Sequence, residues 1–273
     1  MKKKIRKLPL HIILILCSLT TVVPLVWMVL TSFKTYEESI RIPLTVFPTN
    51  WNFGNYSAVL QKFPMGTFYL NTVVVMLIVV VGQLLISSLA GYAFARLRFP
   101  GKEFIFMLCL SVMMVPGQIF LIPHYEMMVD WKLTDTITAL WLPRLFNVFG
   151  VFMLRQFFAA IPRELDEAAK IDGCGFFGIY FRILMPLIKP GLVSLGILTG
   201  LGAWKELLWP LIVNTDMNKQ TLSAGLAYLI GEHTTIYPLV MAGGVMAVLP
   251  VIALFFLFQR NFIEGIASSG IKM

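Results

Sequence analysis

The chain has 273 residues, of which 58% are hydrophobic and 13% are charged, and its formal net charge at pH 7 is +8. This composition excludes a soluble globular protein and is typical of a polytopic membrane protein with one membrane domain over residues 1–273. The basic residues flank apolar segments and do not form one face, so the positive charge indicates membrane topology and not nucleic acid binding.

Six apolar segments are each long enough to cross a bilayer once. They are Leu8–Phe33, Phe63–Ala95, Phe104–Pro123, Thr136–Ala160, Gly191–Val213 and Thr234–Gln259. The second is longer than one span requires, so we place its helix from about Asn71. We expect Pro116 to be tolerated inside the third span, where neighbouring helices bond the freed carbonyl. Pro143-Arg144 interrupts the fourth span, and Lys205-Glu206 interrupts the fifth.

Lysine and arginine are unevenly distributed between the two sides that these spans define. A basic head, residues 1–7, joins the first span to make a retained segment at 1–33. Fifteen Lys and Arg residues fall in the head, the loop at 96–102, the segment 155–189 and the tail, which share one side, against five on the other side. Because cytoplasmic loops carry the excess of basic residues, both termini and segment 155–189 are predicted to face the cytoplasm.

The segment 161–191 is the only long one that places acids, bases and glycines between apolar runs. Pro162 suits a first helical turn, and the acidic residues that follow it favour the positive end of the helix dipole. Gly173 can adopt the left-handed conformation that ends a helix. The pattern therefore predicts an elbow of two short helices, Pro162–Asp172 and Phe176–Met185. The first would be about 16 Å long and too polar to enter the hydrocarbon.

Glu167-Ala168-Ala169, with Gly173, Ile183 and Pro186 at fixed distances after it, resembles the EAA loop of ABC-importer permeases. The usual leucine before the proline is Met185 here, a change of similar volume. The resemblance implies that this loop engages a cytoplasmic ATPase. Glu167 would make the charged contact, the two alanines would allow close docking, and Gly173 would set the angle of the elbow. The implied coupling residues are Glu167, Ala168, Ala169, Asp172, Gly173, Ile183 and Pro186.

The similarity extends over a permease core at 71–265, and there the chain resembles the maltose-permease-G-like branch of carbohydrate importers. It implies an all-α, six-span subunit of the type I (MetI-like) importer fold in a bacterial or archaeal cell membrane. It also implies a second related permease, two ATPase subunits and an external solute-binding protein, with sugars or oligosaccharides as cargo. The chain has no G-x-x-x-x-G-K-[ST] loop, so ATP would be bound by the partner, and no cofactor is expected on this chain.

Three charged residues fall inside predicted spans, where charge is costly and usually faces a cavity or a partner. They are Arg144, Lys205 and Glu206. Adjacent residues on a helix point about 100° apart, so separate partners are expected for Lys205 and Glu206. With Trp204, these residues are candidates for a translocation path. The alternative is a helix near the outer interface whose charges reach water.

Two other classes of function stay open at this point. A stand-alone secondary transporter or channel would predict internal repeats and broken helices with ion sites, and no convincing repeat relates the two halves. A membrane enzyme would need clustered catalytic side chains, and neither H-E-x-x-H nor G-x-S-x-G occurs.

Overall fold

The computed structural model describes residues 8–231 and 235–268, and no strand occurs among them. The all-α prediction is therefore confirmed for this part of the chain, and the basic head at 1–7 lies outside it. The helices are α1 Leu8–Ser32, α2 Tyr36–Ile40, α3 Gly54–Lys62, α4 Met65–Arg96, α5 Lys102–Val112, α6 Leu121–Asp130, α7 Ile137–Trp141, α8 Val148–Ala159, α9 Glu164–Ile171, α10 Phe176–Gly178, α11 Met185–Leu187, α12 Lys189–Trp204, α13 Leu208–Val213, α14 Leu222–Ala227 and α15 Tyr237–Ser268.

Two of these helices, α1 and α4, are long and apolar enough to cross a bilayer without interruption. Three further pairs of helical segments have spanning length but are bent, by 92°, 47° and 76°. The pairs are Lys102–Val112 with Gly117–Asp130, Ile137–Arg144 with Val148–Ala159, and Phe176–Leu187 with Lys189–Trp204. Within α15, the stretch Tyr237–Ala253 is a shorter apolar helix. The described residues thus hold up to five spans by length and composition if each bent pair counts as one.

The predicted third span is wrong as a single helix. Helix α5 ends at Val112, and the chain turns by 92° before a 3₁₀ turn, Gly117–Phe120, leads into α6. Pro116 lies in the break, because proline lacks an amide hydrogen and disfavours helical geometry at the residue before it. The residues that follow the predicted span, from His124 to Asp130, also belong to α6.

The second span also differs from its prediction, since α4 begins at Met65 and not near Asn71. The amide of Asn71 is buried and donates to the carbonyls of Asn218 and Gln220, both at 2.9 Å. The Thr72 hydroxyl accepts a hydrogen bond of 2.7 Å from the amide of Leu222. These polar side chains are satisfied by another part of the chain, so they do not end the helix.

Contacts divide the chain into two compact units, of which the first comprises residues 1–65 and 225–253. Its polar core lies in the loop after α1. The amide of Asn55 donates to two carbonyls at the end of α1, and the carboxylate of Glu38 accepts bonds from the amide and hydroxyl of Thr49, both 2.6 Å long. Burial acts to raise the pKa of Glu38, but these hydrogen bonds outweigh it and the pKa is lowered. The loop therefore holds a structural carboxylate.

The second unit comprises residues 66–224 and 254–273, and α4 passes through its full depth. Val75 and Val79 on α4 enter an apolar cluster with residues of α6, α7 and α13. Further along, Tyr92 enters a second cluster with residues of α8, α12 and the elbow. At 1.5 Å per residue the two clusters are separated by about 20 Å. The region between them contains Gln83, whose amide bonds to the carbonyl of Arg144 at the break before α8.

Candidate functional site

The first leg of the elbow is the helix α9, and its end is fixed by backbone bonds. The amide of Gly173 donates to the carbonyl of Lys170 at 3.0 Å, and the amide of Cys174 donates to the carbonyl of Ala169 at 2.9 Å. This pair of bonds is a Schellman motif, and Gly173 has φ = +82°, as predicted for the turn. Acidic residues occupy the first turn of α9 and a lysine the last, which complements the helix dipole.

The two alanines of the predicted coupling motif point in different directions. Ala168 is exposed, whereas Ala169 is 4% exposed and packs in the core with Tyr180 and Leu184. The prediction that both alanines allow another protein to dock closely is therefore wrong for Ala169. Its small side chain serves the packing of α9 onto its own chain, and the exposed face belongs to Glu167, Ala168 and the end of the helix at Asp172.

The second leg contains a π-helix, Ile179–Leu184, between α10 and α11. It lies directly before Met185-Pro186, where the missing amide hydrogen of proline removes one α-helical bond. Ile183 is partly buried against the core and Pro186 is exposed. Four large apolar side chains of the elbow are strongly exposed, which is typical of an interaction surface. They are Ile171 at 86%, Phe176 at 62%, Phe177 at 73% and Phe181 at 57%.

A polar groove of about 570 Å³ runs between the elbow and the end of α4. It is lined by Arg96, Leu97, Arg98, Phe99, Arg163, Asp166, Glu167, Lys170 and Phe176. Glu167 is exposed on its wall, so the coupling motif presents a carboxylate beside exposed basic and aromatic side chains. Such a mixed surface is suited to a partner that supplies both charge and apolar contact.

Arg96 at the end of α4 is a residue of this region that the sequence analysis missed. Its guanidinium donates two bonds of 2.6 Å to the carbonyls of Phe158 and Ile161 and lies 3.6 Å from the carboxylate of Asp166. The side chain is 4% exposed. The available signal was a polar residue every four positions, Ser88, Tyr92 and Arg96, at the end of an otherwise apolar helix.

A second polar cluster lies where the bent helices break, and Gln83 of α4 is its centre. The amide of Gln83 donates to the carbonyl of Arg144 at 2.6 Å, and its oxygen accepts a bond of 2.9 Å from the hydroxyl of Thr199. The side chain of Asn147 approaches the same oxygen at 3.5 Å and caps α8 through the amide of Phe149. The cluster thus joins the break before α8 to α12 and α4.

The predicted intramembrane charges lie at the ends of helical segments. Arg144 closes a 3₁₀ turn, Leu142–Arg144, at the break before α8. Helix α12 ends at Trp204, so Lys205 and Glu206 follow it in an irregular segment. The carboxylate of Glu206 is 3.3 Å from the guanidinium of Arg144, which confirms that Glu206 has a partner other than Lys205. Lys205 is exposed and pairs with no carboxylate among the residues that the structure describes.

Trp204, also predicted to belong to the translocation path, packs inside this chain. It is 8% exposed, its ring lies 6.4 Å from that of Tyr69, and its carbonyl accepts a bond from Ser223. The indole is large and apolar, so it is stabilised by packing between α4 and the end of α12. The described residues 8–231 and 235–268 contain no group of His, Cys, Asp or Glu that could hold a metal ion.

Comparison with known proteins gives consistent matches. Residues 83–268 match the family described as binding-protein-dependent transport system inner membrane component. The chain is 37% identical over 254 residues to the arabinooligosaccharides transport system permease protein AraQ of Halalkalibacterium halodurans, covering 92% of this chain and 91% of the relative. It is 35% identical to the sulfoquinovosyl glycerol transport system permease protein SmoH of Agrobacterium fabrum, covering 91% and 88%.

A solved structure matches the fold over nearly the whole chain. It is a chain of a bacterial ABC transporter involved in the import of the acidic polysaccharide alginate, with a TM-score of 0.83 and 22% identity. The match covers 96% of this chain and 98% of that one. This likeness shows that the two chains share a fold.

Proposed function

The chain belongs to the binding-protein-dependent transport system inner membrane component family, the permease subunits of ABC transporters, and we propose that it imports sugars or oligosaccharides by coupling to a partner ATPase. The cargo is proposed because relatives are named for arabinooligosaccharides and sulfoquinovosyl glycerol. The partners are a second homologous permease, two ATPase subunits that bind ATP, and an external solute-binding protein. This chain contributes a single permease domain over residues 1–273 and needs no cofactor of its own.

The elbow is the proposed ATPase-docking element, and its exposed surface is the observation that carries the proposal. Ile171, Phe176 and Phe177 are all more than half exposed beside Glu167. A rigid Schellman turn presents them, while the opposite face of α9 is buried through Ala169. A helix that is fixed on one face and leaves large apolar groups open on the other is suited to insertion into a groove of another protein. Asp172, Gly173 and Pro186 would shape this surface without being buried in it.

Six spans are proposed, with both termini and the elbow in the cytoplasm. Two unbroken helices, three bent pairs and α15 supply six apolar crossings. Arg96, Arg98 and Arg163 cluster around the groove beside the elbow, and an excess of basic residues favours the cytoplasmic side. This orientation places the elbow where ATP is available.

The proposed translocation path runs along the break before α8 and the irregular segment between α12 and α13. Arg144, Lys205 and Glu206 are all at least partly accessible there, and their hydrogen-bonding groups match the hydroxyls of a carbohydrate. Irregular backbone at membrane depth is tolerated where it lines a water-filled cavity. Trp204, which directly precedes Lys205, completes the proposed path as a buried packing residue.

The test is gentle purification of the tagged full-length chain from its native membrane, followed by identification of bound proteins and an ATPase assay. We expect a P-loop ATPase and a second permease to co-purify, and Glu167→Lys to release the ATPase. Glu164→Lys is the matched control, since it makes the same charge change on the same helix at an exposed position outside the groove. A chain that purifies alone and moves solute in liposomes without ATP would overturn the proposal. Uptake of labelled oligosaccharides by the reconstituted complex then tests the cargo.

A further inference from the structure

Three polar side chains form a stripe on the last turns of α4. They have no role in the proposed docking surface or in the proposed translocation path. Ser88, Tyr92 and Arg96 are spaced four residues apart, so they lie on one face of the helix. Ser88 is fully buried, Tyr92 is 7% exposed and the side chain of Arg96 is 4% exposed. Burying polar groups is unfavourable unless they are bonded, so each requires a partner on a neighbouring element.

Each residue of the stripe bonds to a different part of the elbow. The hydroxyls of Ser88 and Tyr180 are 2.6 Å apart, which ties α4 to the π-helix. The hydroxyl of Tyr92 donates to the carbonyl of Phe176 at 3.1 Å, at the start of the second leg.

The third tether is made by Arg96, whose guanidinium lies 3.6 Å from the carboxylate of Asp166 on the first leg. The same guanidinium donates to the carbonyls of Phe158 and Ile161, between α8 and α9. The elbow is therefore held at three separated points by one helix.

The packing between these points leaves little room for sliding. A Cβ on Gly91 would lie 2.9 Å from the backbone nitrogen of Arg155 on α8, so α4 and α8 are in close backbone contact. The rings of Tyr92, Phe158 and Tyr180 pack on one another with centroids 5.2 to 6.3 Å apart. Close-packed elements of this kind transmit a displacement and do not absorb it.

We propose that Ser88, Tyr92 and Arg96 are positioning residues that make α4 move with the elbow, so that α4 carries the displacement imposed by the ATPase to the opposite membrane face. At that face the side-chain amide of Asn71, on the same helix, donates hydrogen bonds to the carbonyls of Asn218 and Gln220. From Asn71 to Arg96 the helix is about 37 Å long at 1.5 Å per residue. This inference rests on the proposed function of the elbow as the ATPase-docking element.

Removal of the ion pair is the first test, on the complex purified with its ATPase and reconstituted in liposomes. Arg96→Gln is expected to keep the ATPase bound and hydrolysing ATP but to lower solute uptake per ATP about fivefold or more, the lower end of typical coupling between sites. Arg41→Gln is the matched control, because Arg41 is an exposed arginine outside the elbow and the groove and forms no ion pair among the described residues. Equal uptake per ATP in the two variants would overturn the inference.

Milder variants keep the test valid if Arg96→Gln fails to fold. Tyr92→Phe combined with Ser88→Ala removes two tethers and retains the packed rings, and it is expected to lower uptake per ATP while the amount of folded complex is unchanged. Loss of the ATPase from the Glu167→Lys complex tests docking separately. If Glu167→Lys retains its ATPase, the proposed function fails. If docking behaves as expected but the tether variants remain fully coupled, only this inference fails.

A distance measurement distinguishes a linkage from a purely structural role. Spin labels are placed at Leu89, which is 44% exposed on α4, and at exposed Arg182 in the π-helix of the second leg, after replacement of the three native cysteines. In the otherwise unaltered complex the distance is expected to stay the same with and without bound nucleotide, because the two elements move together. In the Tyr92→Phe/Ser88→Ala variant it is expected to change on nucleotide binding. A nucleotide-dependent distance in the unaltered complex would refute the proposed linkage.

Discussion

Gly173 gives the sharpest test of how the elbow is built. Its φ of +82° lies in the left-handed region, and a Cβ added there would meet nothing within 4 Å. A substitution at this position is therefore opposed by backbone conformation alone and not by a clash. Gly175, two residues on, is equally open around its Cβ but has an extended backbone, with φ = −77° and ψ = 174°.

The cost of Gly173→Val follows from this conformation. An L-residue in the left-handed region is disfavoured by about 1–2 kcal/mol, and a β-branched residue belongs at the upper end. This free energy corresponds to a factor of about 5–30 in the ratio of native to non-native turn. Gly175→Val adds the same atoms in an extended conformation that valine prefers, so it should cost little. Gly173→Asn should be tolerated, because asparagine enters the left-handed region more readily.

The assay is titration of the purified ATPase onto the reconstituted chain, with uptake measured in parallel. We expect Gly173→Val to weaken ATPase binding about 5- to 30-fold, since only the fraction with the native turn is competent to bind. The amide of Cys174 should also exchange its hydrogen faster, because its bond to the carbonyl of Ala169 depends on the turn. Equal binding and exchange in Gly173→Val and Gly175→Val would refute the reasoning.

Three further outcomes are expected. Gly91→Ala should lower the thermal unfolding temperature, because the added methyl meets the backbone of α8 and overpacking costs about 1–3 kcal/mol. Gly66→Ala in the same helix adds a methyl that meets nothing, so it should leave the unfolding temperature unchanged. Gln83→Leu leaves buried polar partners unbonded and should destabilise the chain by about 1–3 kcal/mol in chemical unfolding; an unchanged midpoint would contradict the role of Gln83. The backbone amides of Thr215 and Asp216 donate to the carboxylate of Asp135 and lower its pKa. As the pH falls through that lowered value the carboxylate is protonated, so these two amides should lose their protection from hydrogen exchange. Asp135→Asn should remove this pH dependence.

The elbow was predictable because its signals are local. Acidic residues at a helix start, a glycine at its end and apolar runs on both sides each act within one or two turns. The observed α9 lies within the predicted Pro162–Asp172, and Gly173 adopts the predicted conformation. The division of labour between Ala168 and Ala169 was not predictable, since it depends on which face of α9 meets the core.

The breaks within the spans were harder to predict than the spans themselves. The interruptions at Pro143-Arg144 and Lys205-Glu206 were visible as proline and charge within apolar runs. Whether the helix ends at such an interruption was not visible, because a span that continues and a span that stops can have the same hydropathy. The structure ends α12 at Trp204 and α5 at Val112. The residues directly after each helix bond its last carbonyls, and Ser223 bonds that of Trp204.

By itself the sequence determined that this is a helical membrane protein with a polar two-legged elbow, because composition, hydrophobic run length and turn chemistry act over short distances along the chain. Only the tertiary structure decided which polar residues meet. The pair of Arg144 with Glu206, the centre at Gln83 and the stripe of Ser88, Tyr92 and Arg96 join residues separated by 60 to more than 110 positions. No local pattern encodes these pairings, since buried polar groups find their partners only when the packing of helices brings them within bonding distance.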